Sequence, residues 1–246
     1  MPIDGPTDGP TDGPTDGPTD GPTDGPTDAP EPGPTEWATG GPGVGPWLST
    51  RDGSVPDDAH YDPDLLEHGD GRNVVDAYRY WRREAIIADI DRRRHPLQVA
   101  IENFGNDANI GAVVRTANAF AVDTVHIVGR RRWNRRGAMV TDRYQRLLHH
   151  DSTEHLLDFA AGAGLTVVAV DNVAGAVRLE ETALPRECLL IFGQEGPGIS
   201  AAAASGAALT VSVAQFGSTR SINAGAAAAI AMHAWIRQWA DFSQAW

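Results

Sequence analysis

The sequence predicts an α/β fold, a mostly parallel sheet sandwiched by helices and preceded by an acidic tail. Three observations predict it. Apolar runs of five or six residues (LQVAIE, TVHIV, LTVVAV, CLLIFG, LTVSV) recur from residue 97 onward without the in-out alternation of half-exposed strands. Segments with helical spacing separate them, and glycine-bearing polar stretches follow several of them directly. Continuous apolar strands alternating with helices indicate a parallel sheet covered on both faces, because each strand then loses water on both sides.

The tail is set apart by composition. The 246-residue chain has a formal charge of -13, which by itself argues against a nucleic-acid partner. That argument fails once the charge is located. Sixteen of the 33 acids but only two of the 20 arginines precede residue 73, so the remainder is close to neutral. GPTD repeats from Gly5 to Asp28 and APEPGPTEWATGGPGVGPW follows. Such a stretch cannot bury enough apolar surface to offset chain entropy, so residues 1–70 are expected to form a disordered tail in which Trp37 and Trp47 stay unpaired. A period of four is too short for a solenoid, and the collagen period is absent. Every cationic side chain is arginine. A G+C-rich coding bias accounts for that without any selection for phosphate binding.

No cationic start followed by an apolar run is present, and no apolar stretch approaches the length that spans a bilayer. The single cysteine, Cys188, excludes an internal disulfide and fits a reducing cytoplasm. Its place in ECLLIFG reads as a buried strand thiol rather than a nucleophile.

Element by element, VVDAYRYWRREAIIADIDRRR sets Val74, Tyr78, Trp81 and Ala85 at helical spacing, which predicts an amphipathic helix within residues 71–95. LQVAIE is then a strand, IGAVVRTANAFA a helix and TVHIV a strand. Asp151 and Glu154 offer a capping box to a helix through EHLLDFAAGA. LTVVAV, CLLIFG and LTVSV complete the strands, with a short alanine-rich helix between the last two. The chain closes in AAAAIAMHAWIRQW, plainly helical, entered through QFGSTRSINAG. Ser221 or Asn223 would cap that helix, but one cap does not explain so many polar side chains at a single joint.

Ligands of open parallel sheets sit where loops leave the carboxyl ends of strands. Three loops qualify: ENFGNDANIG, GQEGPGIS and the segment after LTVSV. No G-x-G-x-x-G follows the first strand, and no phosphate loop, zinc spacing or G-x-S-x-G elbow is present. His149, His150 and His155 read as surface residues of a polar helical stretch, and no metal site is expected.

NDANIGAVVRTANAF, LLIFGQEGPGIS and VSVAQFGSTRSINAGAAAAIAMHAW resemble, in this order, the three motifs of the SPOUT superfamily in its TrmH (SpoU) branch of RNA ribose 2'-O-methyltransferases. The resemblance covers roughly residues 95–240, and it implies a methyltransferase domain over 96–246 with a C-terminal deep trefoil knot. Threaded chains are otherwise nearly absent among proteins. It implies S-adenosyl-L-methionine as cofactor, tRNA or rRNA as substrate, a homodimer and no metal.

Matched residue by residue, the resemblance implies a catalytic set of Asn109, Arg115, Glu195, Ser221 and Asn223. It implies cofactor contacts from Val170, Gly193, Gln194, Gly198, Val213, Ser221 and Ile222. Ile222 stands where the family has Leu, and Val213, Ala214 and Gln215 stand where it usually has Ile-Pro-Met. The family assigns deprotonation of the ribose hydroxyl to the arginine matching Arg115. Guanidinium holds its proton above pH of about 12, so the sequence favours phosphate binding and charge stabilisation by Arg115. A plain helix arginine paired with an acid is the other reading. Asn109 doubles as a cap for a helix starting at Ile110, and Glu195 as a loop carboxylate satisfying backbone N–H groups.

GRRRWNRRG, residues 129–137, supplies Arg130, Arg131, Arg132, Arg135 and Arg136 around Trp133, a combination suited to phosphate contact and base stacking. A solvated charged loop is the bland reading of the same residues. Ile230, Trp235 and Trp239 offer a dimer face. Two further readings stay open: a SPOUT enzyme methylating a base nitrogen, and a non-catalytic knotted RNA-binding protein.

Overall fold

The computed structural model describes residues 43–245 apart from Asp52, Asn103, Arg130 and Arg131. Short helices α1 (Trp47–Thr50) and α2 (Pro63–His68) come first, then α3 (Arg83–Asp91). The remainder alternates as β1 (His95–Glu102), α4 (Asp107–Ala119), β2 (Val122–Val128), β3 (Arg146–His150), α5 (Thr153–Gly162), β4 (Thr166–Val170), β5 (Val177–Arg178), β6 (Cys188–Phe192), α6 (Ala201–Gly206), β7 (Leu209–Ser212) and α7 (Ala224–Trp239).

The seven strands form one sheet in the order β3-β2-β1-β6-β4-β7-β5, and every pairing is parallel. Strand side chains alternate between two covered faces, as a period of two requires. Cys188, Leu190 and Phe192 of β6 join Leu97, Val99 and Ile101 of β1 beneath α4 and α7. Leu189 and Ile191 point the other way, to Leu156, Ala160 and Ala203 of α5 and α6. This doubly covered sheet is the architecture expected from the continuous apolar runs.

Several expectations need correction. Structure begins well before residue 71. Trp47 is not unpaired: it packs edge-on against Tyr61 and Tyr80, with ring centroids 5.8 and 5.3 Å away. The Tyr80 hydroxyl donates to Gly45 O at 2.6 Å, tying the start of the described chain to the segment just before α3. The expectation for residues 1–42, Trp37 included, lies outside the described residues. The helix read across 74–94 is interrupted, because Tyr80 has φ of +63°, a left-handed value that ends helical periodicity. A 3-10 turn (Asp76–Tyr78) and the nine-residue α3 take its place. The α5 cap is Ser152, which accepts from His155 N, rather than Asp151. His149 and His150 belong to β3, not to a helix. Trp235 is 1% exposed and donates to Pro185 O and Arg186 O, so it is core and not a dimer face. Burial pushes the Cys188 thiol up to about 12, as an inert strand cysteine should behave. No helix among the described residues is long and apolar enough to cross a membrane.

Candidate active site

The carboxyl ends of β1, β6, β4 and β7 lie side by side, and the loops leaving β6, β4 and β7, with Asn109 of α4, enclose a cavity of about 370 Å³. The sheet supplies the reason. From β1 the chain builds outward through β2 to β3, then returns to place β4 and β6 on the other side, which leaves a crevice where the direction reverses.

Each wall has a local cause. Gly193 ends β6, and a Cβ there would lie 2.0 Å from Ile199 N, so only glycine lets the loop fold back on itself. Gln194 and Gly198 close that fold with two backbone bonds, Gln194 N to Gly198 O at 2.9 Å and Gly198 N to Gln194 O at 3.0 Å. Gly198 has φ of +81°, and a Cβ on it would come within 2.4 Å of Asp171 Oδ2. That carboxylate, just past β4, accepts from Ile199 N at 2.8 Å and so pins the loop from the opposite strand. The buried Glu102 at the end of β1 holds the next residue, accepting from Ser200 N at 2.9 Å and Ser200 Oγ at 2.6 Å. It also accepts from Thr153 Oγ1 at 2.5 Å, which anchors the first turn of α5 to the same point.

A hydrogen-bonded chain joins three of these segments. Asn223 is the N-cap of α7, its Oδ1 accepting from Ala226 N at 3.1 Å. With that oxygen committed, its Nδ2 donates to Asn109 Oδ1 at 3.0 Å. Asn109 Nδ2 then donates to Glu195 Oε1, and Glu195 Oε2 accepts from Asn106 N at 3.1 Å. The cap fixes the orientation of the first amide, the first fixes the second, and the chain ends on a group that accepts at both oxygens. Asn109 therefore does not cap α4. That role falls to Asn106, which accepts from Ala108 N at 2.9 Å. At Gly225, where a Cβ would stand 3.3 Å from Ala112 Cβ, α7 meets α4 closely enough for the two amides to pair.

Val170, Gly193, Gln194, Gly198, Val213, Ser221 and Ile222 all line the cavity, together with Asn109, Glu195 and Asn223. Arg115 does not. It sits on the exposed face of α4, outside the lining, and no hydrogen bond or ion pair among the described residues engages it. Sequence reasoning missed Asp171 and Asn172 and noted Gln215 only as a departure from the family pattern, yet all three line the cavity. The signal for Asp171 and Asn172 was present, since both directly follow the apolar run LTVVAV.

The arginine loop docks onto the helix that carries Asn109. Asn134 N donates to Asp107 Oδ2 at 2.9 Å, and a Cβ on Gly111 would lie 2.4 Å from Gly137 C. Arg132, Arg135 and Arg136 are exposed. Trp133 is half-buried and packs against the main core, so only part of its ring faces outward. Arg135 stands 5.9 Å from the Trp133 ring centroid and pairs with Asp142 at 3.2 Å. Arg130 and Arg131 lie outside the described residues. Among the described residues no group of three or more His, Cys, Asp or Glu is arranged to hold a metal ion.

Comparison with known proteins adds to this geometry. A sequence profile described as the SpoU rRNA Methylase family matches residues 96–233. The chain is 28% identical over 160 residues to the tRNA (guanosine(18)-2'-O)-methyltransferase of Escherichia coli K12, covering 63% of this chain and 70% of the relative. The fold is shared with the A. aeolicus TrmH/SpoU tRNA modifying enzyme, at a TM-score of 0.58 and 22% identity, covering 64% of this chain and 82% of the other. It is shared also with the SpoU methyltransferase AviRb of Streptomyces viridochromogenes, solved in complex with AdoMet, at a TM-score of 0.54 and 23% identity over 59% and 58% of the two chains.

Proposed function

Because this chain belongs to the SpoU rRNA methylase family, we propose that it transfers a methyl group from S-adenosylmethionine to a ribose 2'-hydroxyl of tRNA or rRNA, with the cavity at the strand ends as the cofactor site. The observation that carries the reading is the convergence of the three motif segments on one cavity, joined through Asn223, Asn109 and Glu195. The cavity residues fit the cofactor. Val170, Phe192, Val213 and Ile222 offer apolar surface to a purine, Gly193 and Gly198 bring bare backbone to the wall, and Asp171 and Glu195 are carboxylates that attract a cationic donor. When bound, S-adenosylmethionine supplies an electrophilic methyl carbon on a sulfonium.

The chain's own residues do the rest. Methyl transfer is an in-line displacement, so alignment of the acceptor oxygen is the main task. The amide relay fixes the entrance to α7 against α4 and holds Ser221 and Asn223 at the cavity. Arg115, exposed and uncommitted, binds a substrate phosphate and stabilises the negative charge that grows on the ribose oxygen. Arg132, Arg135 and Arg136, docked on α4 through Asn134 and Asp107, extend that contact along the RNA.

The same reading includes the knot and the dimer. In its favour, β7 lies between β4 and β5 although residues 171–176 join those two strands directly. The chain leaving β7 runs past that connection, where Asn172 Nδ2 donates to Arg220 O at 2.9 Å, before it enters α7. Ile230 and Trp239, 41% and 44% exposed on opposite sides of α7, offer apolar surface to a partner. The test is incubation with methyl-labelled S-adenosylmethionine and bulk tRNA or rRNA, followed by ribonuclease digestion. A ribose methyl group yields label in nuclease-resistant dinucleotides. Label released only in mononucleotides indicates base methylation and refutes the reading.

A further inference from the structure

Gln215, in the cavity wall, carries a polar atom that no group among the described residues answers. Gln215 Oε1 is buried without a hydrogen-bond partner among the described residues, and Gln215 lines the cavity. Five of its polar neighbours in the wall are engaged: Asn109 and Asn223 with each other, Glu195 with Asn106 N, Asp171 with Ile199 N, Asn172 with Arg220 O. A buried acceptor without a donor is destabilising and is kept where something else completes it.

We propose that Gln215 reads the amino edge of the methyl donor's adenine, an inference that rests on the cofactor reading of the cavity. A primary amide presents an acceptor beside a donor. The adenine edge presents its 6-amino group beside a ring nitrogen acceptor, so the two meet through a pair of hydrogen bonds, as glutamine does with adenine elsewhere. The other donors of the cofactor are served differently. Its ammonium group is drawn to the carboxylates of Asp171 or Glu195 in the same wall, and a ribose hydroxyl satisfies only one atom of the amide. Val213, two residues before Gln215 and also in the wall, supplies apolar surface for the face of the ring whose edge Gln215 engages. Gln215 is thereby a specificity residue that separates a 6-amino from a 6-oxo purine.

The experiment is calorimetric titration of the full chain with S-adenosylhomocysteine and with its 6-oxo counterpart, S-inosylhomocysteine. It is run on the unaltered protein and on Gln215→Met, a side chain of similar length with no hydrogen-bonding amide. The unaltered protein is expected to prefer the 6-amino ligand by about tenfold or more, and Gln215→Met to bind the two ligands equally. Should Gln215→Met fail to fold, Gln215→Leu replaces it. Equal binding by the unaltered protein, or a preference that survives loss of the amide, overturns the inference while leaving the cofactor site intact. Binding of neither ligand by the unaltered protein overturns the inference and the cofactor reading together.

Discussion

Two polar clusters of this molecule are built from similar bonds to opposite ends. In the N-terminal segment, the fully buried Asp70 accepts from Arg72 Nε at 2.9 Å, Arg72 Nη2 at 2.8 Å, Arg72 N at 3.0 Å and Tyr80 N at 2.9 Å. Arg72 Nη2 also donates to Trp81 O at 2.8 Å. Burial alone would raise the Asp70 pKa, but Arg72 and the backbone N–H groups hold it below its ordinary value. The cluster faces inward and ties the residues after α2 to Tyr80 and Trp81, just past the 3-10 turn, around one ion pair. The relay of Asn223, Asn109 and Glu195 uses comparable bonds yet lines a cavity, with the unanswered Gln215 in the same wall and the uncommitted Arg115 on the helix that carries Asn109. A closed network specifies a structure, whereas polar groups left over at a cavity mark a place for a ligand.

That contrast is open to attack at both ends. The largest effect is expected from Asp70→Ala, which strands the 7%-exposed Arg72 without its carboxylate and should cost about 3–5 kcal/mol of local stability. Limited proteolysis should then cut within residues 43–82, while affinity for S-adenosylmethionine stays within about twofold because the cavity shares no partner with this cluster. A cavity that fails with it would show the two regions to be one cooperative unit. Next is Arg115→Lys, a conservative change of an exposed residue. Methyl transfer should fall about 100-fold or more, since a point charge replaces a planar fork, with melting temperature unchanged.

A third prediction uses a second closed cluster, on the opposite face of the sheet. His126 is fully buried between Gln98 Oε1 at 2.7 Å and His150 Nε2 at 2.9 Å. Burial first, then the His150 imidazole, lower its pKa from 6.5 to about 3. The unfolded chain therefore binds a proton between those two values that the folded chain refuses, so stability falls as pH drops from 6.5 toward 3. Denaturant titration should show a loss of up to about 2 kcal/mol between pH 7 and 5, and a flat profile would contradict the buried neutral imidazole. The smallest effect belongs to Asn223→Asp. An aspartate keeps the oxygen that caps α7 but cannot donate to Asn109, so stability should change by less than about 1 kcal/mol. Turnover should drop about tenfold, as expected when one donor of a polar network is lost. A full loss of stability would mean that the relay is architecture only.

The sheet was legible because burial on both faces writes itself as uninterrupted apolar runs. β3 and β5 were not, since Arg146–His150 is polar at a sheet edge and Val177–Arg178 is two residues long. Residues 43–70 were misread for a compositional reason: glycine, proline and acids signal a loose chain, yet Trp47 and Tyr80 close a small aromatic core there. The interruption at Tyr80 left no trace in spacing, because a single positive φ changes no residue type. At the site, the motif segments could be picked out one at a time, but their bonds span 114 positions between Asn109 and Asn223 and 86 between Asn109 and Glu195. Which asparagine caps and which relays is decided by packing at Gly225, so Asn106 and Asn109 could not be told apart beforehand. Gln215 stood in plain view as a departure from the family pattern, and only the buried environment of its oxygen gives that departure a meaning.

The central claim is that the cavity at the carboxyl ends of β1, β4, β6 and β7 is where the methyl donor sits. A crystal structure of the full chain grown with S-adenosylmethionine addresses it directly. The account predicts the donor enclosed by Gly193, Val213 and Ser221, with its methyl carbon facing outward. Density for the donor at any other surface, with this cavity filled only by solvent, would contradict it.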